Sequence, residues 1–308
     1  NKKIEAKINL DRIVSRHLGI LAMTGMGKSN LVSLITKKIS EVKGTVIIFD
    51  YHNDYTTLNI PNVNVIDAKI NPRLLEADQF SEVLEIRENA DVQQRVLRMS
   101  FTQEVKEAGE FWNKLEYEVD LLVNSEDKKL KEIRTSAYRV QDIIEDAQRR
   151  FDDILDPEIG NPMDYIKEGC TNIINISELS EKQANVAMGF YLQQLLKDRK
   201  NATIAKHGKS KKQKDYKFFE PVFIILEEAH VFIPKDHDTA AKYWAAKIAR
   251  EGRKFGVGLG IVSQRPRSVD LNILSQMGSF AIMKIIQEDD QRQIASATES
   301  TSRELISQ

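Results

Sequence analysis

Cys170 is the chain's single cysteine, so no disulfide can close within it, which excludes a disulfide-stapled scaffold and fits a reducing cytoplasm. Long apolar runs are missing too. None approaches the roughly eighteen residues a bilayer-spanning helix needs, and no charged-then-apolar leader opens the sequence, so no membrane segment is expected. An excess of either charge is also absent: 45 basic against 46 acidic residues give a net charge of −1. That balance removes whole-molecule attraction as an argument for nucleic acid, although a ring or cleft can still concentrate positive charge locally. Between Pro72 and Pro157 there is no proline, and Gly109 is the only glycine. What remains is 308 residues, 41% apolar and 30% charged, enough for one large α/β domain with an elaboration and too balanced for disorder. A start at Asn1 rather than methionine fits a portion of a longer protein.

The most informative segment is Ala22-Met23-Thr24-Gly25-Met26-Gly27-Lys28-Ser29. Before it, Leu18-Gly19-Ile20-Leu21 reads as a buried strand; after it, Asn30 to Ile39 carries apolar residues at helical spacing. A glycine-containing loop in that position turns backbone N–H groups onto phosphates. Lys28 can then reach the β and γ oxygens of ATP, and the Ser29 hydroxyl can ligate Mg²⁺. Thr24, Gly25, Met26, Gly27, Lys28, Ser29 and Asn30 are the expected nucleotide-binding residues. The usual motif opens with glycine where this chain has Ala22, which a negative φ at that position accommodates. The competing interpretation is a glycine-rich turn that merely caps a helix.

Further strands are expected at Thr45–Asp50, left through the turn-rich Tyr51-His52-Asn53-Asp54-Tyr55, at Val63–Asp67 and at Thr171–Ile176. Strands alternating with helices imply an α/β fold with a mainly parallel sheet, whose ligands bind beyond the strands' carboxyl ends. Charged and apolar residues alternate at helical intervals from Pro72 to Pro157, which makes this stretch a helical insertion. Its clearest seam is Leu130, Ile133, Ala137, Val140, Ile144, Ala147 and Phe151, with Phe111, Leu115, Val119 and Leu122 as the facing stripe. The division expected is therefore 1–71 and 170–308 for the core and 72–169 for the insertion. A helix from about Glu181 to Arg199 precedes a segment from Asn201 to Lys217 with Lys206, Lys209, Lys211, Lys212, Lys214 and Lys217, read as an exposed loop that either contacts DNA or is simply solvated.

Pro221-Val222-Phe223-Ile224-Ile225-Leu226 is a buried strand that ends in Glu227 and Glu228. Beside a phosphate loop, Glu227 would hold the Mg²⁺ shell and Glu228 would polarise the attacking water; the alternative is two acids that favour a helix dipole. His230 reads as structural or as a supporting partner of the acids. A later strand ends in Ser263-Gln264, where the Gln264 amide can report the γ-phosphate. Arg253 is suited to reach a neighbouring subunit's nucleotide, but Arg250, Lys254, Arg265 and Arg267 compete with it on chemistry. Arg16, just before the first strand, is a further candidate for phosphate contact or simple exposure.

Taken in order, Met23 to Asn30, Phe49 to Tyr55, Leu226-Glu227-Glu228-Ala229-His230, and Arg250 to Gly256 running into Ser263-Gln264-Arg265-Pro266 resemble the HerA-type DNA translocases of the HerA/FtsK group of RecA-like ATPases. The resemblance covers nearly the whole chain. It implies a RecA-like P-loop core, a hexameric ring that pumps double-stranded DNA, and, in archaea, coupling to the NurA nuclease in DNA-end resection. It also favours Arg253 as the arginine finger and supports Arg16 as a second nucleotide contact. Family members usually carry a β-barrel before the motor and a strap after it; neither is read in this sequence. Two other functions share the motifs: a nucleotide-gated scaffold and a protein-secreting ATPase.

Overall fold

The structure, a computed structural model, describes residues 9–23, 25–56, 61–87, 89–206 and 216–298. Thr24 and four of the six lysines of the basic segment, Lys209, Lys211, Lys212 and Lys214, lie outside the described residues.

Seven strands form one sheet: β1 Leu18–Ala22, β2 Thr45–Asp50, β3 Val63–Asp67, β4 Thr171–Asn175, β5 Val222–Leu226, β6 Val257–Ser263 and β7 Ser279–Met283. Their spatial order is β3-β4-β2-β5-β6-β1-β7, and every pairing is parallel. The fold is therefore α/β, as the alternation of strand and helix requires. Strands β1, β2, β5 and β6 are buried along their whole length because helices cover both faces. Leu18, Ile20, Val46, Ile48, Phe223, Ile225 and Val262 share one face with Val32, Ile35 and Ile39 of the helix that follows the glycine loop. Their neighbours Ile47, Phe49, Ile224 and Leu226, equally buried, line the other, where Phe49 meets Tyr191 edge to face at 6.2 Å. Each such residue contributes about 1.5–3 kcal/mol by leaving water.

The helices, in chain order, are α1 Leu10–Arg16 and α2 Lys28–Glu41; then α3 Ala77–Val83, α4 Asp91–Ser100, α5 Gln103–Glu107, α6 Phe111–Val123, α7 Lys128–Lys131 and α8 Arg134–Arg150; then α9 Glu181–Lys206, α10 Ala229–Phe232, α11 Ala240–Glu251, α12 Leu271–Leu274 and α13 Glu288–Ala297. The chain divides into two compact units, Asn1–Asp67 with Met163–Gln308, and Ala68–Pro162. Within the second, α6 and α8 pack along Phe111, Leu115, Val119 and Val123 against Ala137, Val140, Ile144 and Ala147. Two details differ from the sequence expectation. The seam is broken before Arg134, where Ile133 caps α8, and Val123 rather than Leu122 is buried, because the contact follows the four-residue ridge of α6. Arg73 ties this unit together by donating to the carbonyls of Pro157 at 2.7 Å and Lys106 at 2.9 Å.

The helix expected to end near Arg199 continues to Lys206, correcting the loop read from Asn201. No glycine or proline interrupts it before Gly208, and the Thr203 hydroxyl donates back to the Arg199 carbonyl at 2.8 Å. Lys217 is anchored rather than free-running: its N–H donates to Asp198 at 2.6 Å and its ammonium to the Met163 carbonyl at 2.8 Å.

His17, at the junction of α1 and β1, is 3% exposed and accepts from the Leu259 N–H at 3.0 Å. Burial drives its pKa down to about 4, against a bond to the Ala249 carbonyl that favours the charged ring. Above pH 6.5 the ring is neutral in both folded and unfolded chains, and its contribution is complete. As pH falls from 6.5 towards 4 only the unfolded chain takes up the proton, so the folded state should lose roughly 3 kcal/mol over that interval. His17→Asn does not titrate, so denaturant midpoints followed from pH 7 to 4 should fall less steeply in the variant. Parallel slopes would remove His17 as the source.

Candidate nucleotide site

Beyond Ala22 the chain turns through Gly25 at φ 76° and Gly27 at φ 92°, then enters α2 at Lys28. A side chain at either glycine would suffer in this left-handed backbone, yet a Cβ built there meets nothing within 4 Å. The loop is thus held open towards solvent by conformation, not by packing. Gly27, the N-cap of α2, brings no side chain to cap the first turn, whose N–H groups point out of the helix end towards the loop. Lys28 and Ser29 open that turn; Gly25, Met26 and Asn30 are exposed.

The acidic pair arrives at the same end of the sheet. Register places Phe49 opposite Leu226, so Asp50 and Glu227 follow as neighbours at the ends of β2 and β5. Glu227 is 3% exposed and accepts from the Tyr51 N–H at 3.3 Å. Burial, then the carboxylates of Asp50 and Asp54, push its pKa up to about 8, while the bond from Tyr51 opposes the shift. Asp50, fully buried, accepts from the N–H groups of Asp54 at 3.0 Å and Tyr55 at 2.9 Å, which folds the turn back so that Asp54 receives the Ser29 hydroxyl at 3.3 Å.

Glu228 ends β5 in left-handed backbone, φ 43° and ψ 46°, a conformation that costs a non-glycine residue about 1–2 kcal/mol. A continued strand would send Glu228 to the face opposite Glu227; the kink breaks that alternation. Its Oε2 lies 3.1 Å from His230 Nδ1 and its Oε1 3.9 Å from His52 Nε2. Burial opposes its ionisation, but His230, Lys28 and His52 together outweigh burial and hold its pKa below the usual carboxylate value. Despite the short distance to His230, no donor is aligned on the buried Oε2.

Strand β6 separates β5 from β1, which sets the acidic pair and the glycine loop roughly 10 Å apart, the width of two strand spacings. It ends at Ser263, which pairs with Leu21, and the half-buried Gln264 follows immediately at the edge between them. Lys28, Ser29, Glu227, Glu228 and Gln264 are thereby gathered at one edge of the sheet.

Arg253 and Arg16 are not. Arg253 is exposed on a 3-10 turn, Gly252–Phe255, before β6, so the seven residues of that strand, roughly 23 Å, separate it from Gln264. Arg16 is exposed at the last residue of α1, before β1, on the same edge as Arg253. The turn that carries Arg253 is fixed by Arg199, 6% exposed, which donates to the carbonyls of Phe255 at 3.0 Å and of Phe218 and Phe219 at 2.7 Å each.

A phosphate with a divalent cation fits this chemistry. The open loop, the closely set carboxyls of Asp50 and Glu227, and two buried oxygens without aligned partners, Glu228 Oε2 and Tyr55 Oη, describe groups arranged for something beyond their own side chains. Among the described residues no cluster of three or more His, Cys, Asp or Glu side chains forms a metal cage of its own. No helix among the described residues is long and apolar enough to cross a membrane.

Comparison with known proteins agrees. The family profile described as "Helicase HerA, central domain" matches residues 1–195. The chain is 39% identical over 317 residues to the DNA double-strand break repair helicase HerA of Sulfolobus acidocaldarius and 41% identical over 318 residues to that of Sulfurisphaera tokodaii. In both cases 98% of this chain aligns with 61% of the relative, so the chain spans less than two thirds of their length. Among solved structures, VirB4 of Thermoanaerobacter pseudethanolicus superposes with a TM-score of 0.60 at 16% identity, covering 91% of this chain and 80% of that one. The plasmid coupling protein TrwB in complex with the ATP analogue ADPNP gives 0.52 at 12% identity, with 90% and 70% covered. These two likenesses establish the phosphate-loop α/β fold.

Proposed function

Because the chain belongs to the HerA helicase family, we propose that it is an ATP-hydrolysing motor that assembles as a homo-hexameric ring and translocates double-stranded DNA in double-strand break repair. The observation that carries this is the gathering of the Lys28 loop, the Glu227–Glu228 pair and Gln264 at one sheet edge.

ATP is the substrate. The loop around Gly25, Met26 and Gly27 would surround its phosphates with N–H groups, with Thr24 and Asn30 at its flanks and the Lys28 ammonium at the β and γ oxygens. Ser29 and Glu227 would hold Mg²⁺, which supplies charge neutralisation at the phosphates. Glu228, kept ionised by Lys28 and the two histidines, would accept a proton from the attacking water, and Gln264 would bond the γ-phosphate. Strand β6 transmits the presence of that phosphate to Arg265 and the chain beyond.

The hexamer is supported by the placement of Arg253 and Arg16. Neither reaches its own loop, and both lie on the opposite edge, as a head-to-tail ring requires of groups that complete a neighbour's site. A nuclease partner of the NurA type follows from the family resemblance. The test is ATP turnover with and without linear duplex DNA, with the mass of the assembly measured in parallel. Several-fold stimulation by duplex, in particles of six subunits, is expected; turnover indifferent to DNA would point to a nucleotide-gated scaffold or a protein-secreting ATPase.

A further inference from the structure

His230 is 13% exposed at its side chain, and the reaction sequence above uses it only to help keep Glu228 ionised. Its Nδ1 lies 3.1 Å from Glu228 Oε2 and 3.3 Å from the hydroxyl oxygen of Ser263, the last residue of β6. That hydroxyl is fully buried and also accepts from the Arg265 N–H at 3.1 Å. One ring nitrogen therefore stands between the carboxylate on β5 and the end of the strand that presents Gln264. It can donate a single N–H, to one oxygen or the other, and in this structure Glu228 Oε2 has no aligned donor.

We propose that His230 is a positioning residue that aligns Glu228 and couples its alignment to the end of β6 through Ser263. The proposal rests on Glu228 acting as the hydrolytic base. When the γ-phosphate draws Gln264, the adjoining Ser263 shifts with it, and the His230 N–H turns from the hydroxyl onto Glu228 Oε2. The base is then held on axis only when there is phosphate to cleave. Glu228 precedes the short helix α10 as its N-cap, in left-handed backbone, and its Oε2 still comes within 3.1 Å of His230 Nδ1 on that helix. His52, half-exposed and 3.9 Å from the other carboxylate oxygen, contributes charge without fixing direction.

The experiment compares His230→Ala, His230→Asn and Ser263→Ala in the whole protein, reading ATP turnover, KM for ATP and binding of ADP. His230→Ala should lower kcat by about 10- to 100-fold with KM and ADP affinity within about twofold of wild type. His230→Asn, whose amide nitrogen can stand where Nδ1 stands, should restore a large part of the loss. Ser263→Ala, which leaves Glu228 Oε2 as the only acceptor for the His230 N–H, should raise kcat by several-fold. In a Glu228→Gln background, single-turnover cleavage should be no slower with His230→Ala than without it, since a residue acting through Glu228 has nothing left to position. Wild-type kcat in His230→Ala, or losses that multiply in the double variant, would overturn the proposal. If His230→Ala does not fold, His230→Asn and Ser263→Ala decide: an unchanged or lower kcat in Ser263→Ala breaks the link to β6. Should Glu228→Gln alone turn over like wild type, the reading of Glu228 fails; should it be slow while the His230 variants run normally, only the positioning role fails.

Discussion

Glu228→Gln should reduce steady-state ATP turnover by roughly three orders of magnitude, equivalent to about 4 kcal/mol of barrier, while ATP binding stays within a few-fold of wild type. The two effects separate because the groups that bind and the group that accepts the proton sit on different elements. Lys28 and Ser29 open α2, whereas Glu228 closes β5, with β6 between them. Glutamine matches glutamate in volume, so the 5%-exposed site keeps its packing and only proton acceptance is lost. Charge is lost with it. The wild-type carboxylate is held ionised by His230, Lys28 and His52, which together outweigh burial, so the neutral amide gives up a small net attraction and folding stability at neutral pH should fall slightly. Phosphate release and ATP retention on a filter measure the two quantities. Turnover within about tenfold of wild type would remove Glu228 as the base.

Mixing two inactive variants should restore activity. Lys28→Ala removes the ammonium proposed to meet the phosphates and should abolish turnover by loss of productive nucleotide binding. Arg253→Ala should retain nucleotide and lose turnover by about 10³-fold or more, the usual worth of an arginine finger. In a ring assembled from both, an interface that joins the loop of an Arg253→Ala subunit to the arginine of a Lys28→Ala neighbour has every group it needs. Random pairing of the two subunit types gives up to about a quarter of such interfaces, and turnover should rise from background towards that share. The reason to expect complementation is the length of β6: its seven residues hold Arg253 at the far edge from Gln264, and no arginine side chain spans that distance to its own loop. If no ratio of the two variants recovers turnover, Arg253 acts within its own subunit or not at all, and Arg250, Lys254 and Arg16 become the variants to make.

Much of the candidate nucleotide site was legible along the chain. The strand before Ala22, the glycine turn and the helix from Lys28 lie within one short segment, and the apolar run to Leu226 announces its own end at Glu227 and Glu228. Periodicity identified the α6 and α8 stripes but missed the ridge that buries Val123 and the break before Arg134, since both depend on how one helix crosses the other. Likewise α9 outran its expected end because a charged composition was read as a loop, whereas only glycine or proline would have stopped it. Asp50 and Asp54 were visible as part of a turn, and His230 as a histidine with two possible roles. Their contacts were not visible, as Asp54 and Ser29 are 25 residues apart and His230 and Ser263 are 33.

Local sequence thus determined the segments from which the proposed site is built: a glycine loop, an acidic strand end, a polar strand end and an arginine-bearing turn, each written in consecutive residues. Strand order settled the rest. Placing β6 between β1 and β5 puts Gln264 between the glycine loop and the acidic pair, and that order arises from long-range burial of both sheet faces, which no short run of residues encodes; Arg253 and Arg16 lie at the opposite edge because each precedes its strand in a parallel sheet.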